Sequence, residues 1–283
     1  MAIFLLIKRV IIPKKLAGGV EVTRVIVVTS GKGGVGKTSL TLSIGRGLAA
    51  MGFRVVLMDT DIGLNNMDVL MNVENKITFD IADVISGKCR PRQALVEDEI
   101  AEGLFVMPSV HGYKRAEISG QNLKSVISSL TGFDYALIDC PAGIELGFHR
   151  AVAAASEALV VTTPHVSAVR DASKVIGLLG GYRLPVGLII NRVRGDMVVD
   201  GEMASPEDIR DAMGVPLVGV IPENDEINGL SGSGERLKKG GSGSKAVEML
   251  CRNIVYGTNN VYDVSDGFKG LFGGIKRYFK KHL

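Results

Sequence analysis

The chain has 283 residues, 46% of them hydrophobic, which suits one α/β domain with appendages and supplies ample apolar material for a core. Lys and Arg number 33 against 30 Asp and Glu, a net charge of only +3, so no global basic field points to nucleic acid. Cys89, Cys140 and Cys251 are too few and too scattered for a disulfide framework and form no Cys-x-x-Cys for zinc or an iron–sulfur cluster, which fits a reducing cytoplasm.

At the start of the chain, MAIFLLIKRVIIPKK puts apolar residues before its charges, the reverse of a secretory signal. No run in the chain approaches the roughly 18 apolar residues of a membrane span. Ala17, Gly18, Gly19 and Val20 read as linker, so residues 1–23 are expected to form a poorly ordered extension. The rival reading is a membrane contact through Phe4, Leu5 and Leu6 beside Lys8 and Arg9.

Val25 to Leu40, VIVVTSGKGGVGKTSL, is an apolar strand, a glycine turn and the opening of a helix. Gly31, Gly36, Lys37 and Thr38 fit G-x-x-x-x-G-K-[ST] in the context that motif requires. The turn Gly31, Lys32, Gly33, Gly34, Val35, Gly36 would point backbone N–H groups at phosphate oxygens, and the helix opening through Ser39 would add its dipole. Lys37 would neutralise β/γ-phosphate charge and the Thr38 hydroxyl would ligate Mg²⁺.

Lys32, directly after the first glycine, makes the segment G-K-G-G-V-G-K-T. This resembles the deviant Walker A motif of the MinD/ParA family, which includes the nitrogenase iron protein. The resemblance implies that Lys32 reaches across an ATP-bound homodimer to the partner's nucleotide.

A helix is expected over Ser39–Met51 and a buried strand over Arg54–Met58, leading into DTDIGLNNMD. Asp59 and Asp61 are two apart, so on an extended strand end both would face the phosphates. The segment resembles the family's first switch, which implies that Asp61 orients the attacking water and Asp59 supports Mg²⁺; Asn65 departs from the basic residue often found there. Lys76–Glu97 reads as polar helix and loop, and Gly103–Met107 as a strand.

The strand Tyr135–Ile138 ends in Asp139-Cys140-Pro141-Ala142-Gly143, with a carboxylate at an apolar strand tip that would hold Mg²⁺ through water. The same residues resemble the second switch. Cys140 is expected to be inert filling, because an acidic neighbour disfavours thiolate. Ala158–Thr162 reads as a strand and the helix after it runs through Leu179; T-P-H-V-S-A-V-R-D matches a family helix where partners dock, which makes Arg170 and Asp171 partner-contact candidates. His165 stands where the family usually carries an acid.

Val186–Ile190 ends in Asn191-Arg192, which resembles the class's adenine-reading position. An Asn amide can donate and accept in one plane. A guanine reader would want an acid where Arg194 sits, so ATP is favoured over GTP. Leu217–Ile221 continues into V-I-P-E-N-D-E-I, whose resemblance places Pro222 and its loop over the base.

Gly229–Ser244 is glycine- and serine-rich and is expected to be a surface loop, followed by a helix over Lys245–Val255. Residues 24–256 would form the ATPase domain and 257–266 a polar tether. In 267–283, GFKGLFGGIKRYFKKHL, Phe268, Leu271, Phe272, Ile275 and Phe279 fall within a roughly 140° arc at helical spacing, with five cations opposite. Such a stripe reads as an interfacial helix on anionic phospholipid, weak alone and effective when two are joined in a dimer.

The fold expected is a doubly wound, mainly parallel sheet flanked by helices. The family resemblance, in its septum-placing branch, implies an ATPase that dimerises on ATP, binds the inner membrane, recruits the MinC division inhibitor and is recycled by a topological factor such as MinE. The alternatives are a ParA-like DNA-segregation ATPase or flagellar-number regulator on the same scaffold, and a non-hydrolysing membrane scaffold.

Overall fold

The computed structural model describes residues 23–61, 66–110, 118–224 and 240–269. Its strands are β1 Arg24–Thr29, β2 Val55–Asp59, β3 Val96–Glu97, β4 Leu104–Met107, β5 Tyr135–Asp139, β6 Glu157–Thr162, β7 Val186–Val193 and β8 Leu217–Pro222. They form one sheet in the order β3-β4-β2-β5-β1-β6-β7-β8, parallel throughout except for the β3 edge. The helices are α1 Lys37–Ala50, α2 Asn66–Met71, α3 Ile81–Ile85, α4 Gly120–Ser129, α5 Leu146–Ala154, α6 Val166–Tyr182, α7 Gly195–Val199, α8 Pro206–Met213 and α9 Ser242–Tyr256.

The central strands read as unbroken apolar runs because both faces are covered. Their period of two survives in the packing. Ile26, Val28, Val55, Leu57, Tyr135 and Leu137 join one core with Leu40, Ile44 and Leu48 of α1 and Leu250 of α9. Val27, Val56, Met58, Ala136 and Ile138 join the other, with Leu123 of α4, Phe148 of α5 and Val175 of α6.

Asp139 closes β5 on the Leu137 side of this alternation and Asp59 closes β2 on the Leu57 side. Because β2 and β5 are parallel neighbours with Asp59 opposite Asp139, the register brings two carboxylates together at the carboxyl end of the sheet.

Helix ends explain where chain direction changes. Ser205 caps α8 through the Asp208 amide with Pro206 next in line, and Gly214 ends that helix at φ 66°. Asp80 and Asp83 form a reciprocal capping box on α3. At α1 the pattern differs, since Gly36 at φ 85° supplies no side-chain cap. Its first N–H groups are left to an external acceptor.

Boundaries shift by one to three residues from those expected, and three expectations on the last part of the chain need correction. The glycine-rich stretch 229–244 does not stay loop to its end, because α9 begins at Ser242; residues 225–239 lie outside the described set.

The segment 257–266 is docked rather than a tether. Asn253 of α9 is 3% exposed and donates to the carbonyls of Val218 (2.8 Å) and Asn260 (2.7 Å), while its Oδ1 accepts from Thr258 Oγ1 (2.6 Å) and the Asn260 amide (3.2 Å). Val264 is buried with Leu188, Ile190 and Val220. Phe268, expected on the membrane stripe, instead sits half-buried in a 3₁₀ turn against Gly195, where a Cβ would stand 3.0 Å from its ring. Its ring gains more from that contact than from water. Leu271, Phe272, Ile275 and Phe279 lie outside the described residues.

Replacing Asn253 with Ala leaves partly buried carbonyls and an amide without this partner on both the β8 side and the docked segment. The expected outcome is a loss of about 1–3 kcal/mol, read as a lower urea midpoint with a change confined to stability.

Candidate active site

The loop between β1 and α1 turns on glycine. Gly34 (φ 78°) and Gly36 (φ 85°) occupy the left-handed region, where other residues are strained. A Cβ on Gly31 would fall 2.3 Å from the Asp171 carbonyl carbon, so the backbone of α6 lies directly on the loop. Ser30 Oγ donates to the Lys32 carbonyl (2.9 Å), and the Gly143 amide (φ 91°) donates to the Ser30 carbonyl (3.1 Å), which ties the segment after β5 to the turn.

The loop borders a cavity of about 410 Å³ lined by residues 32–39 together with Asp61, Asn66, Ala142 and Arg192. That size falls within the range of small-molecule sites.

Asp139 is the hub behind the loop. Its carboxylate, buried at 1% exposure, accepts from Lys37 Nζ (3.1 Å), Thr38 Oγ1 (2.6 Å) and Thr41 Oγ1 (3.4 Å). Thr41 was not singled out from sequence, although its place four residues after Lys37 on α1 is the signal: its hydroxyl donates to the Lys37 carbonyl (2.9 Å) while also facing Asp139.

Asp59 and Asp61 do not face the same way, contrary to the expectation of an extended strand end. Asp59 ends β2 and the chain turns at once, so its carboxylate accepts from the amides of Asp61 (2.9 Å) and Met67 (3.3 Å). It is 2% exposed, whereas Asp61 lines the cavity. Burial, and then the charge of Asp139, push the Asp59 carboxyl up to about 7. Asp61 is also raised by burial; Lys37 opposes that shift and Asp139 reinforces it.

Lys32 is exposed at the mouth, and its Nζ donates to Ser167 Oγ of α6 (3.1 Å). Arg192 lines the cavity with a backbone φ of 58°, and its buried Nε has no hydrogen-bond partner. A buried donor without an acceptor at a cavity wall fits a polar ligand.

Asn191, expected to read adenine, is 1% exposed; its Nδ2 donates to the Val35 carbonyl (2.8 Å) and its Oδ1 accepts from the Arg192 amide (2.9 Å). Pro222 ends β8 paired with Val193 and does not line the cavity.

Cys140 is buried, and burial pushes its thiol up to about 12, as an inert filler should be. Arg170 is exposed; Asp171 is half-buried and accepts from Lys174 Nζ (3.1 Å). His165 is exposed at the start of α6.

Thr38, Asp139 and Asp59, the residues expected to hold a metal, offer hydroxyl and carboxylate oxygen. That suits a hard divalent cation such as Mg²⁺, which keeps waters and takes few protein ligands. Among the described residues no group of three or more His, Cys, Asp or Glu is close enough to form an all-protein cage.

The chain matches the CobQ/CobB/MinD/ParA nucleotide-binding domain over residues 26–237. It is 39% identical over 260 residues to the septum site-determining protein MinD of Bacillus subtilis, covering 90% of this chain and 97% of that protein. The chain belongs to the MinD family of septum site-determining P-loop ATPases.

Among solved structures, a chain of the MinC:MinD cell division protein complex of Aquifex aeolicus superposes with a TM-score of 0.75 at 39% identity, over 82% of this chain and 95% of that one. MinD from Pyrococcus horikoshii, solved with Mg-ADP, superposes with a TM-score of 0.74 at 31% identity, over 82% and 96%. Nucleotide and Mg²⁺ binding are thus properties of the family.

The raised Asp59 carboxyl has a stability consequence with a definite sign. The group is protonated more readily when folded, so its relative contribution is lost as pH rises from about 4 through about 7. In Mg²⁺-free urea titrations, Asp59→Asn should gain on the natural protein by about 1–3 kcal/mol between pH 4 and pH 8. A difference that stays flat across that range refutes the assignment.

Proposed function

We propose that this protein is a Mg²⁺-dependent ATPase whose active form is an ATP-bound homodimer. On this reading it cycles between cytoplasm and the inner face of the cell membrane, carries a MinC-type division inhibitor there, and is recycled by a topological factor of the MinE kind. The observation that carries the proposal is the division of lysines. Lys37 is buried against Asp139, while Lys32 projects at the cavity mouth with only a hydroxyl for company.

Around that mouth the surface supports pairing of two copies. Val166 is 85% exposed beside Ser167, and Leu146 is 71% exposed shortly after the Gly143 turn. Exposed apolar side chains next to an unpaired cation are poorly matched to water and well matched to a second copy holding an anion.

The chemistry follows from the residues behind the loop. Lys37 would exchange the Asp139 carboxylate for the β- and γ-phosphates. The amides of the loop and of the first turn of α1 would receive the phosphate oxygens. Thr38, Asp139 and Asp59 would hold Mg²⁺, which when bound offsets phosphate charge. Asp61, at the cavity wall, would orient water for in-line attack on γ-phosphorus. Lys32 from the second copy would neutralise charge developing on the transferred group.

No helix among the described residues is long and apolar enough to cross a membrane, so attachment is assigned to the C-terminal stripe at Leu271, Phe272, Ile275 and Phe279. Phe268 is excluded from that role while it rests on Gly195. No nucleic acid is expected as a partner, since the cations gather on the tail.

Sedimentation with anionic vesicles tests the whole reading. The intact chain should pellet with ATP and remain in solution with ADP, and Lys32→Ala should lose ATP-dependent dimerisation, vesicle binding and hydrolysis together. Asp61→Ala should hydrolyse ATP at least about tenfold more slowly while retaining nucleotide binding. Equal vesicle binding in ADP, a Lys32→Ala protein that dimerises and turns over normally, or ATP-dependent retardation of plasmid DNA without vesicle binding would overturn it.

A further inference from the structure

We infer that the docked segment 257–269 is an autoinhibitory clamp, which holds the root of the C-terminal tail on α7 and withholds from lipid the first apolar and the first basic residue of the amphipathic stripe. The inference rests on the membrane-binding reading above and adds to it a contact that keeps single copies in solution.

The clamp depends on a close approach of two backbones. Val264 is 8% exposed and packs among Leu188, Ile190 and Val220. A Cβ on Gly195, the buried first residue of α7, would fall 1.9 Å from the Val264 carbonyl oxygen and 3.0 Å from the Phe268 ring. Gly195 is not among the glycines with positive φ, so glycine is needed there for space and not for conformation.

The segment is also closed on itself. The Phe268 amide donates to the Ser265 carbonyl (2.9 Å), while the Ser265 amide (2.9 Å) and hydroxyl (2.6 Å) both donate to Oδ1 of Asp263. Lys269 Nζ donates to the other oxygen of Asp263 (3.0 Å), and upstream the Asn253 side chain ties Thr258 and Asn260 to α9.

What the clamp holds are the two kinds of group that an anionic bilayer would take up. Phe268 opens the apolar stripe and Lys269 is the first of the five cations opposite it. In the docked state the ring is half-buried against Gly195 and the ammonium faces Asp263. Asp263 and Asp266 stand exposed beside the same root, where their negative charge opposes approach to an anionic surface. A single short amphipathic helix binds lipid only weakly. Holding back one residue from each of its faces weakens it further, so single copies stay in solution at lipid levels where two joined tails still hold.

Gly195→Ala opens the clamp with little other damage, because Ala favours a helix more than Gly does while its Cβ collides with the Val264 carbonyl. The full chain is compared with Gly195→Ala, Asp263→Asn and the double variant Gly195→Ala/Phe268→Ser. Binding to vesicles of mixed phosphatidylglycerol and phosphatidylcholine is measured with Mg-ADP and with Mg-ATP. Amide hydrogen exchange over 257–269 is followed without lipid.

In Gly195→Ala, exchange over 257–269 should quicken and vesicle affinity with ADP should rise about tenfold, the gain expected from freeing one aromatic ring and one cation. The double variant should fall back toward the natural protein. Asp263→Asn releases Lys269 and Ser265 without touching the core and should shift both readouts the same way by less, which keeps the test available should Gly195→Ala fail to fold. Quicker exchange with unchanged or weaker vesicle binding makes the contact merely structural and overturns the inference. Unchanged exchange in Gly195→Ala, or a gain that persists in the double variant, overturns it as well. A natural protein that binds vesicles with ATP while Gly195→Ala gains nothing sinks this inference alone; a natural protein that binds none with ATP sinks the membrane reading and this inference with it.

Discussion

The carboxylate of Asp139 is the point on which the rest of the site depends. It is buried at 1% exposure and holds Lys37, Thr38 and Thr41 from the opening turns of one helix. A buried ion pair is a poor source of stability, because desolvation offsets most of the attraction. The arrangement makes sense as storage. Lys37 is kept close to where phosphate charge will lie, in a contact that an incoming phosphate oxygen can replace with little change of geometry. The register of β2 on β5 sets Asp59 beside Asp139, so a second carboxylate borders the ion pair. Burial first, and the charge of Asp139 second, lift Asp59 to about 7, and the crowding of negative charge is what a divalent cation would relieve.

Most of the fold could be read from residues because local and tertiary preferences agree. The runs Val25–Val28, Val55–Met58 and Tyr135–Ile138 are apolar at every position, the pattern of strands in a parallel sheet covered on both sides. The glycine turn before Lys37 was legible for a similar reason: positive φ at Gly34 and Gly36 has no cheap alternative. The edge strand β3 left no trace in sequence, since a two-residue strand has no periodicity to detect.

The misreadings share a cause, which is that motif position does not specify side-chain direction. Asp59 and Asp61 have the spacing of one strand face, but the chain leaves the strand at Asp59, whose carboxylate then caps the turn by bonding the Asp61 amide. At the end of β7, the bulged path between Ile190 and Val193 bonds the Asn191 amide to Val35 of the loop and brings Arg192, which no pattern singled out, to the cavity wall. Phe268 fits a helical stripe when the tail is wound alone. The gap beside Gly195, which no residue near it in sequence announces, captures it first. In each case a long-range packing fact settled the direction of one side chain.

Those same packing facts leave the phosphate loop with two solid walls. On one side Gly31 lies against the Asp171 backbone of α6; on the other Gly36 lies against the Asn191 amide of β7. A loop held at both ends by contacts too close for a methyl group cannot yield by small adjustments of its own. Any displacement imposed by a bound phosphate must be taken up by moving what it touches. On the α6 side the mobile party carries Ser167, which holds Lys32, and Val166, which stands exposed at the rim. The loop is thus packed directly against the helix that carries both the hydroxyl partner of Lys32 and the exposed Val166. That packing needs glycine at position 31, because a Cβ there would fall 2.3 Å from the Asp171 carbonyl and force α6 and the loop apart.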